Sequence, residues 1–272
     1  MGVEGTPLQG KVALVTGASR GIGEAIARRF AAAGAAVAVS ARTVEEGDHP
    51  LPGSVATTVR AIVDAGGTGV AVAADLARRE DRERLVAEVT RGLGPIDVLV
   101  NNAAVTYLEP VVDFTPRHWD TMVEVQVRAP FELAQLVVPG MRERGRGWVL
   151  NISSGAARHP EGPPYRRGLG GGGTVYGMCK AALERFTTGL AAEEHSHGIA
   201  VNALSPAALV ATPGVRHHGL DKGVPDEFIE PVESMAEAAL ALCTGTPDTL
   251  TGRIAYSRAL LDELGIEVPA PA

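Results

Sequence analysis

A tyrosine and a lysine stand four residues apart, as Tyr176 and Lys180, in a segment that is predicted to be helical. Positions i and i+4 share a face of a helix, so the phenol and the ammonium are expected to be neighbours. A nearby cation favours the phenolate and lowers a tyrosine pKa from its usual value near 10. Tyr176 is therefore a candidate general acid or base, although such pairs are common on helices and need partners.

Polar residues that follow two apolar runs supply those partners. Asn-Ile-Ser-Ser at residues 151–154 ends one run, and Asn-Asn-Ala-Ala at residues 101–104 ends another. Ligands of open α/β sheets bind outside the carboxyl ends of the strands. We therefore expect these polar residues to share one site with Tyr176 and Lys180.

A glycine-rich turn follows the first apolar run, with the sequence Thr-Gly-Ala-Ser-Arg-Gly-Ile-Gly at residues 16–23. Gly17, Gly21 and Gly23 lack the Cβ atoms that would keep the backbone away from a diphosphate. The helix that begins here offers unpaired N–H groups to the diphosphate charge. The sequence thus predicts a dinucleotide site in the first βαβ unit.

The residues after the second strand bear on which dinucleotide binds. NAD-binding folds usually place an acid there, on the adenosine ribose. This chain instead has Ser-Ala-Arg-Thr at residues 40–43, and Arg42 with Arg20 can form charge-assisted hydrogen bonds to a 2′-phosphate. NADP, as NADPH, is therefore favoured over NAD; the alternative is that Arg42 only pairs with Glu45 or Glu46 in water.

Short apolar runs alternate with helix-length segments along the chain. The strand-like runs are residues 12–16, 36–40, 69–74, 97–101, 148–152 and 199–204, and the helical segments include 23–33, 78–91, 119–144 and 174–195. This alternation predicts right-handed βαβ units, hence an α/β fold with a parallel sheet and helices on both faces. No polar linker divides the pattern, so we expect residues 1–272 to form a single dinucleotide-binding domain.

Composition excludes several other classes of protein. The 272 residues carry 25 Lys+Arg against 32 Asp+Glu, a net charge of −7, so no basic field attracts nucleic acid. Two cysteines fit a reducing cytoplasm better than a disulfide framework, and no apolar run reaches the about 18 residues of a membrane helix. Seven histidines without a cysteine or carboxylate cluster predict no metal site. We expect a cytoplasmic protein with no nucleic-acid or membrane partner.

In these pieces the chain resembles the short-chain dehydrogenase/reductase family in its single-domain form. The likeness covers about residues 11–212 and runs in family order through residues 16–23, Asp-Leu at 75–76, 101–104, 151–154, Tyr-x-x-x-Lys at 176–180 and Val-Asn-Ala-Leu-Ser-Pro at 201–206. The resemblance implies a Rossmann-type, doubly wound, mostly parallel sheet of about seven strands, a nicotinamide cofactor and a homotetramer or homodimer. It also implies an oxidoreductase that transfers a hydride reversibly between nicotinamide and a small-molecule carbonyl or secondary alcohol.

The resemblance further implies roles for individual residues. Ser154 would hold the substrate oxygen, Tyr176 would exchange a proton with it, and Lys180 would bind the nicotinamide ribose while lowering the phenol pKa. Family position favours Ser154 over its neighbour Ser153. The expected cofactor contacts are Gly17, Ser19, Arg20, Gly21, Ile22 and Gly23 in the turn, Arg42, Asp75 and Leu76 at the adenosine, Asn102, Ala103 and Ala104 at the inner ribose, and Tyr176, Lys180, Pro206 and Leu209 at the nicotinamide.

Three substitutions depart from the family pattern. Gln126 stands where the family usually has Asn, a fourth catalytic residue that helps hold a water in a proton relay to the lysine, so we place Gln126 in the catalytic set. Ala104 and Ala207 replace family glycines near the cofactor. Gln126 motivates one alternative, a cofactor-binding regulator without turnover; the other alternative is an NAD-dependent enzyme of the same family.

Irregular segments also distinguish this chain. Ser154 and Tyr176 are 22 positions apart, more than is usual in the family, so we expect residues 155–173 to shape the substrate pocket together with residues 207–231. Residues 45–54 form a further loop that delays the second helix. Near the end, Thr-Gly-Arg-Ile-Ala-Tyr-Ser at residues 251–257 replaces the family's glycine-rich strand motif.

Overall fold

A computed structural model describes residues 6–165 and 172–268 of the chain. Its strands are β1 (Val12–Thr16), β2 (Ala36–Ala41), β3 (Thr68–Ala73), β4 (Val98–Asn101), β5 (Gly147–Ile152), β6 (Ile199–Ser205) and β7 (Ile254–Tyr256). They form a seven-stranded sheet in the order β3-β2-β1-β4-β5-β6-β7, and each neighbouring pair is parallel. The chain reverses its direction of travel between β3 and β4, which is the arrangement of a doubly wound Rossmann-type sheet.

Helices follow nearly every strand. They are α1 (Gly21–Ala32), α2 (Val55–Asp64), α3 (Arg79–Leu93), α4 (Pro116–Val123), α5 (Ala129–Arg144), α6 (Thr174–Glu194), α7 (Pro213–His217), α8 (Val232–Leu242) and α9 (Ser257–Leu264). The predicted alternation of strands and helices is confirmed, with ends shifted by a few residues.

Two hydrophobic layers hold these helices on opposite faces of the sheet. Ala13 and Val15 of β1 lie in one buried cluster with Phe30 of α1 and residues of α8. Leu14, which points to the other face, lies in a second cluster with Leu133 of α5 and residues of α3. Successive side chains of a strand face opposite sides, so a strand buried on both faces is apolar throughout, as the sequence of β1 is.

The expected helix at residues 119–144 is interrupted, and this expectation is corrected. α4 begins earlier, at Pro116, where the Thr115 hydroxyl caps it by accepting the His118 N–H at 3.2 Å. Between α4 and α5, Glu124–Arg128 form a π-helical turn that carries Gln126. A π turn inserts one extra residue into a helix and changes the direction of the side chains on it.

The loops differ in how much structure they contain. Residues 45–54 form a loop as expected, and α2 begins after Ser54, whose hydroxyl accepts the Thr57 N–H at 3.0 Å. The segment at 207–231 contains α7 and a parallel bridge between Leu209 and Ile229. Residues 166–171 of the predicted loop at 155–173 lie outside the described residues. Among the helices described, none is long and apolar enough to cross a membrane.

Candidate active site

The predicted site residues lie along one edge of the sheet. Because its strands are parallel, the residues that follow β1, β4, β5 and β6 all emerge at the carboxyl edge. The glycine turn leaves β1 there, Asn102 follows β4, and Ser154 follows β5. Tyr176 and Lys180 are brought to Ser154 by the first turns of α6.

Ser154 and Tyr176 are joined by a side-chain hydrogen bond. The Ser154 hydroxyl also accepts the Ala156 N–H at 3.2 Å and so caps the short turn Gly155–Ala157. Gly177 lies against this turn, where a Cβ would be only 2.6 Å from the Ala156 carbonyl oxygen. The absence of a side chain at Gly177 thus lets α6 approach closely enough for the phenol to reach Ser154.

The hydrogen bonds distinguish the two serines at the end of β5. Ser153 is buried, and its hydroxyl donates to the Glu184 carboxylate at 2.6 Å. Ser154 bonds the phenol instead. The Ser153 hydroxyl therefore links the end of β5 to Glu184 of α6. The hydroxyl that faces Tyr176 belongs to Ser154.

Lys180 is almost fully buried, with 3% of its surface exposed. Its Nζ donates to the Ile152 carbonyl at 2.8 Å and lies 5.6 Å from the centroid of the Tyr176 ring. Burial lowers the pKa of Lys180 to about 8, and the electrostatic effects of Cys179 and Glu184 act in the opposite direction. An ammonium with this pKa is still mostly charged at pH 7 and readily loses its proton above pH 8.

The Tyr176 pKa moves in the direction opposite to our expectation. Burial raises the pKa of the phenol, and the hydrogen bond from Ser154 only partly opposes that rise. We expected Lys180 to lower it, but the removal of water around the ring disfavours the phenolate and decides the direction of the shift. Tyr176 is thus a neutral phenol at physiological pH, which is the form that can donate a proton.

Gln126 is buried in the π-helical turn and faces the segment that follows β4. Its Nε2 donates to the Val105 carbonyl at 2.9 Å, and its Oε1 has no hydrogen-bond partner among the described residues. The observed bond positions the loop after β4 and does not join Lys180. The participation of Gln126 in a relay stays a prediction.

The glycine turn packs against the residues that follow β4, and this contact explains why two of its positions have no side chain. The Asn102 Nδ2 donates to the carbonyls of Thr16 at 2.9 Å and of Gly17 at 3.0 Å. A Cβ on Gly17 would lie 2.6 Å from the Ala103 Cα, and a Cβ on Gly23 would overlap the Asn102 amide. In the structure both glycines make room for residues 102–103, and their expected contact with a diphosphate stays a prediction.

The start of α1 nevertheless fits an anionic diphosphate. Arg20 occupies the N-cap position of this 12-residue helix, and its side chain makes no capping hydrogen bond. The first backbone N–H groups of α1 can therefore donate to a ligand. Gly21 faces Thr212, whose methyl group would be 3.1 Å from a Cβ at that glycine. Gly21 and Thr212 line a cavity of about 340 Å³. Sequence reasoning missed Thr212, although a threonine before proline at a helix start after β6 is a usable signal.

Arg20 has a second task that the sequence did not reveal. Its Nε donates to the Pro52 carbonyl at 2.8 Å, and its Nη2 donates to the carbonyls of Gly53 at 2.6 Å and of Leu51 at 3.2 Å. Burial lowers the pKa of Arg20, and the charge of Arg42 acts in the same direction. Arg42, which is exposed just after β2, therefore lies close enough to Arg20 for its charge to act there.

The remaining predicted cofactor residues lie at the same edge. Asp75 and Leu76 follow β3, and the Leu76 carbonyl accepts the Arg82 Nη1 at 2.6 Å. Arg82 is 1% exposed and pairs with Glu124 at 2.8 Å, which links this segment to the π-helical turn. Ser19 and Ile22 lie in the glycine turn, Ala104 lies after β4, and Pro206 and Leu209 lie after β6. Their contacts with a cofactor stay a prediction.

Comparisons with known proteins agree with this geometry. The family model for short chain dehydrogenases matches residues 11–222. Dehydrogenase/reductase SDR family member 4 of Homo sapiens is 36% identical over 254 residues, which cover 92% of this chain and 81% of that protein.

Solved structures are similar over nearly the whole chain. A metagenomic short-chain oxidoreductase in complex with NADP has 30% identity and a TM-score of 0.74, covering 92% of this chain and 98% of its own. A short chain dehydrogenase from Mycobacterium thermoresistibile has 31% identity and a TM-score of 0.82, covering 95% and 89%. The chain therefore belongs to the short-chain dehydrogenase/reductase family and is an NAD(P)-dependent oxidoreductase.

Proposed function

We propose that the protein is an NADP-dependent oxidoreductase that interconverts a carbonyl compound and a secondary alcohol, with Tyr176 as general acid and base. The observation that carries this proposal is the hydrogen-bonded pair of Ser154 and Tyr176 beside the buried ammonium of Lys180. This group lies at the same sheet edge as the uncapped start of α1.

Each side chain has a distinct part in the reaction. The nicotinamide supplies or accepts the hydride when it is bound. The Ser154 hydroxyl holds the carbonyl oxygen, and the neutral Tyr176 phenol gives its proton to that oxygen as negative charge develops there. Lys180, held by the Ile152 carbonyl, stabilises the phenolate that remains, and in the oxidation of an alcohol the same groups act in reverse.

The choice of NADP rests on the residues after β2. No carboxylate follows this strand within residues 40–43 to repel a 2′-phosphate, and Arg42 is exposed there. Within the described chain, the bonds of Arg20 use its Nε and Nη2, which leaves its Nη1 group for the phosphate. The second candidate is an NAD-dependent enzyme, which is favoured only if Arg20 and Arg42 serve the loop at residues 45–54 alone.

The surroundings of Tyr176 favour a substrate with an apolar substituent. Val105, Tyr107 and Phe114 pack in the same hydrophobic cluster as the Tyr176 ring. Residues 155–173 and 207–231 complete the pocket in this proposal. We also propose, from the family resemblance, a homotetramer or homodimer that works in the cytoplasm as a single-domain enzyme.

Oxidation of NADPH with a panel of carbonyl compounds tests the function. The proposal expects turnover that Tyr176→Phe abolishes, while the variant still binds NADPH. Binding of NADPH without turnover across the panel and the matching alcohols would instead support the regulator. Matched titrations with NADPH and NADH decide between the two cofactors.

A further inference from the structure

Glu230 is a buried carboxylate outside the catalytic group. It is 1% exposed and lies just before α8, at the end of the irregular segment that follows β6. A buried charge is costly unless hydrogen bonds and ion pairs compensate it. Its partners therefore show what this side chain holds in place.

The partners of Glu230 are the first residues after β6 and the start of α9. The Ala207 N–H donates to Oε1 at 2.9 Å, and the Ala208 N–H also donates to this carboxylate. The fully buried Ser257 hydroxyl donates to both carboxylate oxygens, at 3.0 and 2.8 Å. Arg258 adds an ion pair at 3.6 Å.

The backbone around Glu230 fixes the same segment from a second side. The Leu209 N–H donates to the Phe228 carbonyl at 2.9 Å, and the Glu230 N–H donates to the Leu209 carbonyl at 2.8 Å. Residues 207–209 are thus held by both the main chain and the side chain of residues 228–230.

This segment faces the expected cofactor site. It begins directly after β6 at the carboxyl edge of the sheet, beside Pro206. Glu230 lines the same cavity of about 340 Å³ as Gly21 and Thr212. A change at Glu230 is therefore transmitted to the backbone that borders the nicotinamide side of the site.

We propose that Glu230 is a positioning residue for cofactor binding, which holds the backbone of residues 207–209 with the help of Ser257 so that this segment contacts the nicotinamide half of the dinucleotide. Ser257 lies in the part of the chain that departs from the family's C-terminal motif. The inference rests on the proposed function for the place of the nicotinamide.

Binding of two probes by the purified protein tests the inference. NADPH carries the nicotinamide, whereas ADP-ribose 2′-phosphate has the same adenosine and diphosphate groups without it. Glu230→Gln removes the charge and replaces one of the two carboxylate oxygens, both of which accept hydrogen bonds, with an N–H₂ donor. We expect the Kd for NADPH to rise about tenfold, because hydrogen bonds to a charged group are lost, while the Kd for ADP-ribose 2′-phosphate changes less than twofold.

Two further variants control the experiment. Glu267→Gln changes an exposed carboxylate outside residues 207–231 and should leave both Kd values unchanged. Ser257→Ala removes the hydroxyl partner and should raise the Kd for NADPH in the same selective way, about threefold; it carries the test if Glu230→Gln does not fold. Amide hydrogen exchange without ligand should be faster at residues 207–209 in both variants than in the wild type.

Equal weakening of both probes, or no weakening of NADPH, would overturn the inference. Unchanged exchange at residues 207–209 would overturn it as well. Failure of the proposed function would give a different result. Turnover would survive Tyr176→Phe, while Glu230→Gln would still weaken the binding of NADPH more than the binding of ADP-ribose 2′-phosphate. If NADH proves to be the cofactor, NADH and ADP-ribose replace the two probes with the same expected ratio.

Discussion

Replacement of Lys180 by methionine should make the stability of the protein less dependent on pH and should abolish its activity. Lys180 is 3% exposed, and burial lowers its pKa from 10.5 to about 8. Each pKa unit corresponds to about 1.4 kcal/mol, so the fall corresponds to about 3.4 kcal/mol between the charged and neutral forms. At pH 7, where the ammonium is mostly charged, nearly all of this energy opposes folding.

The sign follows from proton counting. Between pH 8 and pH 10.5 the unfolded chain keeps the Lys180 proton while the folded chain has lost it, so stability rises with pH. Titration of this one group should therefore raise the free energy of unfolding of the wild type by about 2.5 kcal/mol from pH 7 to pH 10. Lys180→Met lacks that rise, and its lost hydrogen bond to the Ile152 carbonyl adds only an offset that does not depend on pH.

Urea denaturation of both proteins at several pH values between 7 and 10 measures the difference. The stability of Lys180→Met relative to the wild type should decrease by about 2 to 3 kcal/mol over this range. The free energy of unfolding of Lys222→Met, which replaces an exposed lysine, should change with pH in the same way as that of the wild type. Parallel curves for Lys180→Met and the wild type would refute the buried-ammonium explanation.

Three other substitutions test separate parts of the site. Gly177→Ala should lower kcat at least tenfold, because its Cβ would lie 2.6 Å from the Ala156 carbonyl oxygen and would force α6 away from Ser154. Gly189→Ala is the control: its Cβ would meet only the end of a flexible arginine, so kcat should stay the same. Ser154→Ala should lower kcat by roughly 10²-fold in steady-state assays, and an equal loss in Ser153→Ala would contradict the assignment of the two hydroxyls. Arg42→Ala should raise the Kd for NADPH about tenfold to a hundredfold and leave NADH unchanged, as measured by fluorescence titration; equal effects on both would remove the 2′-phosphate role.

The sheet and the edge that carries the candidate site could be predicted from the sequence, because both produce local patterns of apolar and polar residues. A strand buried on both faces must be apolar along its length, as Val12–Thr16 is, and the polar residue that follows it stands out. Asn102 and Ser154 were found in this way. Their hydrogen bonds in the structure, to the glycine turn and to Tyr176, lie at the expected sheet edge.

Other features left no such mark. The π-helical turn at Glu124–Arg128 keeps the apolar spacing of the helices on either side, so the sequence indicates one continuous helix. The bonds from Arg20 to the loop at residues 45–54 join positions about thirty residues apart, and no periodic pattern encodes such a pair. The buried role of Glu230 was missed for the same reason, because a glutamate in an irregular segment is usually exposed.

The error on the Tyr176 pKa shows what residue spacing can and cannot determine. The i and i+4 spacing places Lys180 on the same face as Tyr176, and that proximity is observed. Spacing does not reveal how much water surrounds the pair, and removal of water acts on both groups by favouring their neutral forms.

The two pKa directions together bear on the direction of catalysis. A raised phenol pKa keeps Tyr176 protonated at pH 7, and a Lys180 pKa of about 8 keeps the ammonium mostly charged there. In the proposed reaction, reduction of a carbonyl needs both of these states, because the phenol would give the proton and the ammonium would stabilise the phenolate that follows. Oxidation of an alcohol needs the phenolate at the start, which the buried site disfavours until the pH is raised. In the proposed reaction these protonation states at neutral pH are the ones that reduction needs, and burial of Tyr176 and Lys180 is their cause.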